Sequence, residues 1–197
     1  NHDTPGMGKW LDEKELKLAY ATIFTLPGVP FLYYGDELGM PFMEGLYSKE
    51  GGFSRTGTRT PMQWNGGKNC GFSDSDTPYL PTGEPGRTVS VESEEEREDS
   101  LYHTVKDIIA LRHAHADLQA DGNFEVLYVK ENAYPLVYRR GSLAVLVNPS
   151  CHAVKVSLTE GDGRTLSGSP LFAIGEASLQ NGEVSMAPQS FAVVKLQ

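Results

Sequence analysis

The sequence has 197 residues, 39% of them hydrophobic and 22% charged, which suits an ordinary folded chain holding one domain or a small domain with part of another. Its 26 acidic against 17 basic residues give a formal charge of −9, which repels phosphate backbones and excludes nucleic acid as a favoured partner. No apolar run approaches the roughly 20 residues a membrane-spanning helix needs, so no membrane partner is expected. The opening Asn1-His2-Asp3-Thr4-Pro5-Gly6 has neither the basic nor the apolar region of a secretory signal, and the compartment stays open.

In chain order, the first predicted element is a helix from Asp12 to Leu26. Asp12 followed three residues later by Glu15 has the spacing of a reciprocal N-terminal cap, and Leu16, Ala19, Tyr20, Ile23 and Phe24 recur at helical spacing. Pro27-Gly28 ends it. Val29 to Tyr34 is a short continuous apolar run, the pattern of a strand buried on both faces of a parallel sheet. Gly35-Asp36-Glu37 follows at the strand end, where α/β folds place polar functional groups. The stretch from Met40 to about Thr88 is rich in Gly, Pro, Ser, Thr and aromatic residues, and a connection of that length is usually functional. The acidic run from Glu92 to Asp99 reads as a solvated loop or a helix entry. A second helix starts at Asp99 or Ser100, with Leu101, Val105, Ile108 and Arg112 on one side and Ile109 and Leu111 widening the apolar face. Helix, strand and helix are the grammar of a β/α barrel, here only about a quarter of one.

After about residue 120 the pattern is all strand. Phe124 to Val129, Leu136 to Arg140, Leu143 to Val147, Val154 to Leu158, Leu171 to Ile174 and Ser190 to Leu196 are separated by turn residues, and Asn181-Gly182 is a strong hairpin signal. Leu143 to Val147 is apolar on both faces and suits a central strand. Strands this short and this closely spaced predict an antiparallel β-sandwich. Cys70 and Cys151 have no metal-binding spacing; a disulfide between them is left open. His113 and His115, two apart on a helix, point to different faces and cannot chelate one ion together.

Asn1-His2-Asp3, Gly28 to Met40, Arg59-Thr60-Pro61-Met62-Gln63-Trp64-Asn65 with Gly71-Phe72-Ser73, Leu101 to Arg112, and Gly182 to Leu196 occur in the order of blocks found in one family. The chain resembles the α-amylase superfamily of glycoside hydrolases, in the branch of oligo-1,6-glucosidases, α-glucosidases and trehalose synthases. The resemblance implies the last strand–helix units of a (β/α)8 barrel in residues 1–118, followed by an antiparallel β-sandwich domain in residues 119–197. It implies a retaining mechanism, in which two carboxyl groups flank the scissile bond and the transition state carries positive charge on the sugar ring. Asp3 would be the third carboxylate, the transition-state stabiliser, and His2 would donate a hydrogen bond to a hydroxyl of the same sugar. Arg55, four residues before Arg59, would anchor the terminal glucose through its planar fork of donors; the branch often carries Asp where Thr56 stands. The nucleophile and the acid/base belong to motifs that precede Asn1-His2-Asp3 in the family, so the chain by itself is expected to be an inactive fragment. Asp36 and Glu37 are taken as supporting structure, Arg59 and Gln63 as holding the loop, and Trp64 as closing a core in preference to stacking on a sugar.

No cofactor and no metal is assigned. The expected partner is an α-glucan or oligosaccharide in the intact enzyme. A noncatalytic carbohydrate-binding module, or a structural β-sandwich, is the alternative. Two barrel units cannot close a barrel, so Ile23 and Phe24, each worth roughly 1.5–3 kcal/mol when buried, are expected on an exposed barrel face. Residues 1–40 are then reorganised, packed on a second copy through self-association, or covered by a further segment.

Overall fold

The computed structural model describes residues 3–48, 51, 53–159 and 163–197, and its first helix, α1 (Glu13–Thr25), begins at the predicted reciprocal cap. The Asp12 amide donates to Glu15 Oε2 at 2.9 Å and the Glu15 amide to Asp12 Oδ1 at 2.9 Å, so two of the amides a helix start leaves unpaired are satisfied by side chains. The chain divides into two units, Asn1–Leu16 with Phe31–Lys106, and Lys17–Pro30 with Asp107–Gln197.

The first unit is mostly loop pinned at a few points. Gln63 is buried and its side-chain oxygen accepts the Gly83 amide at 3.1 Å, while its carbonyl accepts the Val91 amide at 2.9 Å. That second bond places the start of α2 (Val91–Glu96). The acidic run is therefore a helix in its own right, capped reciprocally by Ser90 and Ser93. Glu94 on this helix is buried because Arg97 meets both of its oxygens at 2.9 Å; Arg97 also reaches Glu13 at 2.9 Å. Helix α3 (Leu101–Ala114) follows, and Leu101, Val105, Ile108 and Arg112 are buried along it, as their spacing requires.

Among the described residues the second unit holds eight strands: β1 (Glu125–Lys130), β2 (Ala133–Arg140), β3 (Leu143–Asn148), β4 (Val154–Ser157), β5 (Gly168–Ile174), β6 (Ala177–Gln180), β7 (Glu183–Met186) and β8 (Ser190–Leu196). All pairings are antiparallel, in a five-stranded sheet β1-β2-β3-β8-β5 and a three-stranded sheet β4-β7-β6. Strand β3 is buried at every position, as its two apolar faces predict. Leu146 and Val194 from the larger sheet meet Leu179, Val184 and Met186 from the smaller one in a common core. The short strands β6 and β7 escape a reading by apolar runs, yet the turn between them is legible: Asn181 and Gly182 both take left-handed backbone, at φ 49° and 76°, which a two-residue hairpin turn requires.

Two arginines organise this unit from inside. Arg112 donates to the carbonyls of Phe24 and Gly28 at 2.6 Å and of Leu26 at 3.0 Å, capping the end of α1. Arg140, fully buried, donates to the carbonyls of Thr25, of Asn123 at 2.9 Å and of Gln119 at 2.6 Å, and the Tyr138 and Thr25 hydroxyls lie 2.6 Å apart.

Two expectations are corrected, and the question of a disulfide is answered. Residues 29–34 form no strand: a strand exists by pairing, and no described residue pairs with this run. Phe24 is only 7% exposed and Ile23 half-buried, whereas Val29 and Phe31 carry the exposure at 71% and 88%. Cys70, buried, and Cys151, exposed, are both free thiols.

Candidate functional site

The first unit brings together two residues 52 positions apart in the sequence. Arg55 sits on the short 3-10 helical segment Phe53–Thr58, and its Nη1 contacts Asp3 Oδ1. Arg59 Nη2 stands 3.4 Å from the same oxygen. The segment is held against its surroundings by two contacts. The Met43 amide donates to the Gly57 carbonyl at 3.2 Å, and the Gly6 amide to the Thr58 hydroxyl at 3.0 Å. Gly57 is required there, because a Cβ would lie 2.1 Å from the Met43 carbonyl oxygen. The Asp3 side chain is 53% exposed, and an exposed pair stabilises a fold by about 1 kcal/mol at most. A carboxylate accepts hydrogen bonds and two guanidinium groups donate them, which matches a ring bearing several hydroxyls. Arg55 Nε is buried without a partner among the described residues. Thr56 beside it is buried. His2 lies outside the described residues.

Next to this cluster is a cavity of about 570 Å³ lined by Tyr34, Glu37, Arg59, Pro61, Met62, Trp64, Phe72, Tyr79 and Leu80. Trp64 does not close a core: it is 49% exposed on the cavity wall. Its backbone is the reason. The Trp64 amide donates to the Cys70 carbonyl at 2.8 Å and its carbonyl accepts the Glu92 amide at 3.0 Å, while buried Gln63 takes the inward position one residue earlier. Gln63 thus holds the loop as expected, whereas Arg59 reaches both Asp3 and the cavity. Tyr79 was not singled out by sequence, and Phe72 only within the Gly71-Phe72-Ser73 block with no role given; the available signal was two aromatic residues in a loop rich in Gly, Ser, Asp and Pro.

Glu37 belongs to this cavity. Burial pushes its carboxyl above the usual range, against the pull of the Glu37 and Gly35 amides, and Asp36 adds to the rise. Its Oε2 is buried with no hydrogen-bond partner among the described residues. Asp36, by contrast, accepts the Tyr33 amide at 3.1 Å and serves the turn. Tyr34 donates to the Thr60 carbonyl at 3.0 Å, and burial raises its phenol above the ordinary value. Among the described residues no three His, Cys, Asp or Glu side chains are placed to hold a metal ion, and no helix is long and apolar enough to cross a membrane.

In the second unit Tyr138 and Phe191 are fully buried, the latter against Phe172 with ring centroids 6.1 Å apart. Phe124 and Tyr134 are the exposed aromatic rings there.

Residues 1–121 match the family model described as alpha amylase, catalytic domain. The chain is 32% identical over 176 residues to probable oligo-1,6-glucosidase 2 of Bacillus subtilis, covering 68% of this chain and 31% of that protein. It is 29% identical over 177 residues to salivary alpha-glucosidase of Aedes aegypti, covering 81% of this chain and 30% of the relative. Among solved structures, trehalulose synthase MutB from Pseudomonas mesoacidophila MX-45 superposes with a TM-score of 0.80 at 22% identity, over 100% of this chain and 42% of that one. The fold class is that of a (β/α)8-barrel enzyme's final strand–helix portion joined to an antiparallel β-sandwich. The chain spans under a third of the length of these curated relatives.

Proposed function

Because the chain belongs to the α-amylase family of glycosidases and transglycosylases, we propose that it is the C-terminal part of a retaining enzyme acting on α-linked glucose oligosaccharides. Asp3 acts in it as the transition-state stabiliser. The observation that carries this reading is the meeting of Asp3 with Arg55 and Arg59. In a retaining glycosidase the sugar ring becomes cationic as the bond breaks, and a carboxylate fixed in place beforehand lowers that barrier without reorganising. Arg55 holds Asp3 and donates to the hydroxyls of the terminal glucose. His2, next to Asp3 in the sequence, donates to a hydroxyl of the same ring.

The nucleophile and the acid/base are supplied by residues outside this chain. That assignment rests on the order of the family blocks and on coverage of less than a third of the relatives' length. The barrel portion is residues 1–118 and the β-domain residues 119–197, the latter in a structural role. The exposed Val29 and Phe31 mark the face where the rest of the barrel, or a second copy, packs.

The test is hydrolysis of maltose, isomaltose and a chromogenic α-glucoside. The isolated chain gives no turnover, and the longer protein that contains it is active. In that longer protein Asp3→Asn lowers kcat about 100-fold or more and Arg55→Ala chiefly raises KM. Turnover by the isolated chain overturns the placement of the nucleophile and acid/base elsewhere. Full activity of Asp3→Asn overturns the role of Asp3.

A further inference from the structure

We propose that Thr58 is a positioning residue for Asp3, fixing that carboxylate through the main chain three residues downstream of it. The proposal rests on the reading of Asp3 as the transition-state stabiliser and goes beyond it, by naming the side chain that sets its place.

The segment Phe53–Thr58 is a 3-10 helix, in which side chains three residues apart eclipse one another. Arg55 and Thr58 have that spacing, so they leave the segment on one face. Arg55 contacts the Asp3 carboxylate, and the Thr58 hydroxyl accepts the Gly6 amide at 3.0 Å. One face of a short helix therefore grips the Asp3 segment twice, once at a side chain and once at the main chain. Only Thr4 and Pro5 lie between the two grips, and the ring of Pro5 fixes its own φ. The hold on Gly6 thus restricts the swing of Asp3.

Gly6 is shaped for the contact. Its carbonyl accepts the Lys9 amide at 3.1 Å, which starts the turn Met7–Lys9. A Cβ at Gly6 would come within 3.3 Å of Asp36 Oδ1 and 3.7 Å of Thr58 Cγ2, so a bare main chain is what lets the two segments approach. The bond to Thr58 also leaves the side chains of Asp3 and Arg55 available to a sugar, and it holds Asp3 in place whether or not the site is filled.

The arginine-bearing segment has a tether of its own, the Met43 amide on the Gly57 carbonyl at 3.2 Å. Loss of the Thr58 hydroxyl therefore loosens Asp3 and leaves Arg55 where it is. Asp3 acts on the cationic transition state and Arg55 on the hydroxyls of the bound sugar. The effect consequently falls on kcat and spares KM, as for any interaction realised only in the transition state. A small displacement of a catalytic group is enough, since about 1 Å of misplacement can cost on the order of 100-fold in rate.

The test is made in the longer active protein with maltose as substrate. Thr58→Val replaces the hydroxyl with a methyl at nearly constant shape, and Thr58→Ala removes it without added bulk. Circular dichroism verifies that each variant is folded. Both are expected to lower kcat about tenfold with KM within about twofold of the parent value. Thr58→Ser is expected to restore most of the loss, because it returns the acceptor. Added to Asp3→Asn, Thr58→Val is expected to cost nothing more, since the two act through one carboxylate. An equal loss with and without Asp3→Asn, or a rise in KM that matches the fall in kcat, assigns Thr58 to the general fold and overturns the proposal. Unchanged kcat in both variants beside an impaired Asp3→Asn overturns it too, and leaves the role of Asp3 standing. Full activity of Asp3→Asn overturns that role and the proposal with it.

Discussion

Arg112 Nη1 lies 2.6 Å from the carbonyl oxygen of Phe24, so a side chain from the last turns of α3 terminates α1. Its other bonds, to Leu26 at 3.0 Å and Gly28 at 2.6 Å, follow the chain as it leaves that helix. Burial lowers the Arg112 pKa from its ordinary value, but a guanidinium keeps its proton in proteins, and three carbonyl dipoles offset the buried charge. Arg112→Met removes the donors and leaves buried acceptors unpaired, each costing about 1–3 kcal/mol. The expected loss is about 3 kcal/mol, measured as a lower urea midpoint with unchanged slope. Arg112→Lys recovers only part of it, because a single ammonium cannot span the three oxygens as a planar fork does.

Phe31 is 88% exposed and Val29 71%, in an irregular run without a strand partner among the described residues. Such a run is a template for pairing with another chain. Sedimentation velocity is expected to show self-association that grows with concentration. Phe31→Lys is expected to suppress it without lowering Tm, since the side chain it replaces is out of the core. A monomer at every concentration tested would show that this face does not take a second copy.

Much of the fold is legible in the sequence. The cap at Asp12 and Glu15, the buried face through Leu101, Val105, Ile108 and Arg112, the wholly buried β3 and the turn at Asn181-Gly182 are local signals, and a local pattern needs no knowledge of its partner. Residues 29–34 failed for the opposite reason. An apolar run promises burial but becomes a strand only beside a neighbour, and no described residue supplies one. Trp64 failed because composition cannot tell which of two adjacent large side chains turns inward; backbone bonds to Cys70 and Glu92 decided that, with Gln63 buried in its place. The approach of Arg55 to Asp3 spans 52 positions. It was reachable only through the order of the family motifs, because no periodicity connects residues so far apart.

Asp117 ties the turn between β2 and β3 to the segment before β1. Its Oδ2 accepts the Ser142 amide at 2.8 Å and the Ser142 hydroxyl at 2.5 Å. These bonds, with the charges of Lys195 and His115, hold its carboxyl below the usual range against the opposing effect of burial. A depressed folded-state pKa means that the stabilisation is full above the ordinary carboxylate value of about 3.9 and is lost as pH falls through the folded-state value. Asp117→Asn is therefore expected to have a lower Tm than the parent chain at pH 7, with the gap closing below about pH 4. A gap independent of pH would assign the effect to packing of the amide.

Glu37 has the opposite sign. Its folded-state pKa is raised, chiefly by burial, so the protonated form is the one the fold tolerates. The favourable contribution is complete below the ordinary value of about 4.3 and disappears as pH rises through the folded-state value. The charged form is the one burial penalises, with Oε2 lacking a partner among the described residues. Glu37→Gln removes the charge at nearly constant shape. It is expected to raise Tm by about 2 °C at pH 7, with the gain shrinking to nothing as pH falls below about 4. A difference in Tm that persists below about pH 4 would assign the gain to packing of the amide and not to loss of the buried charge.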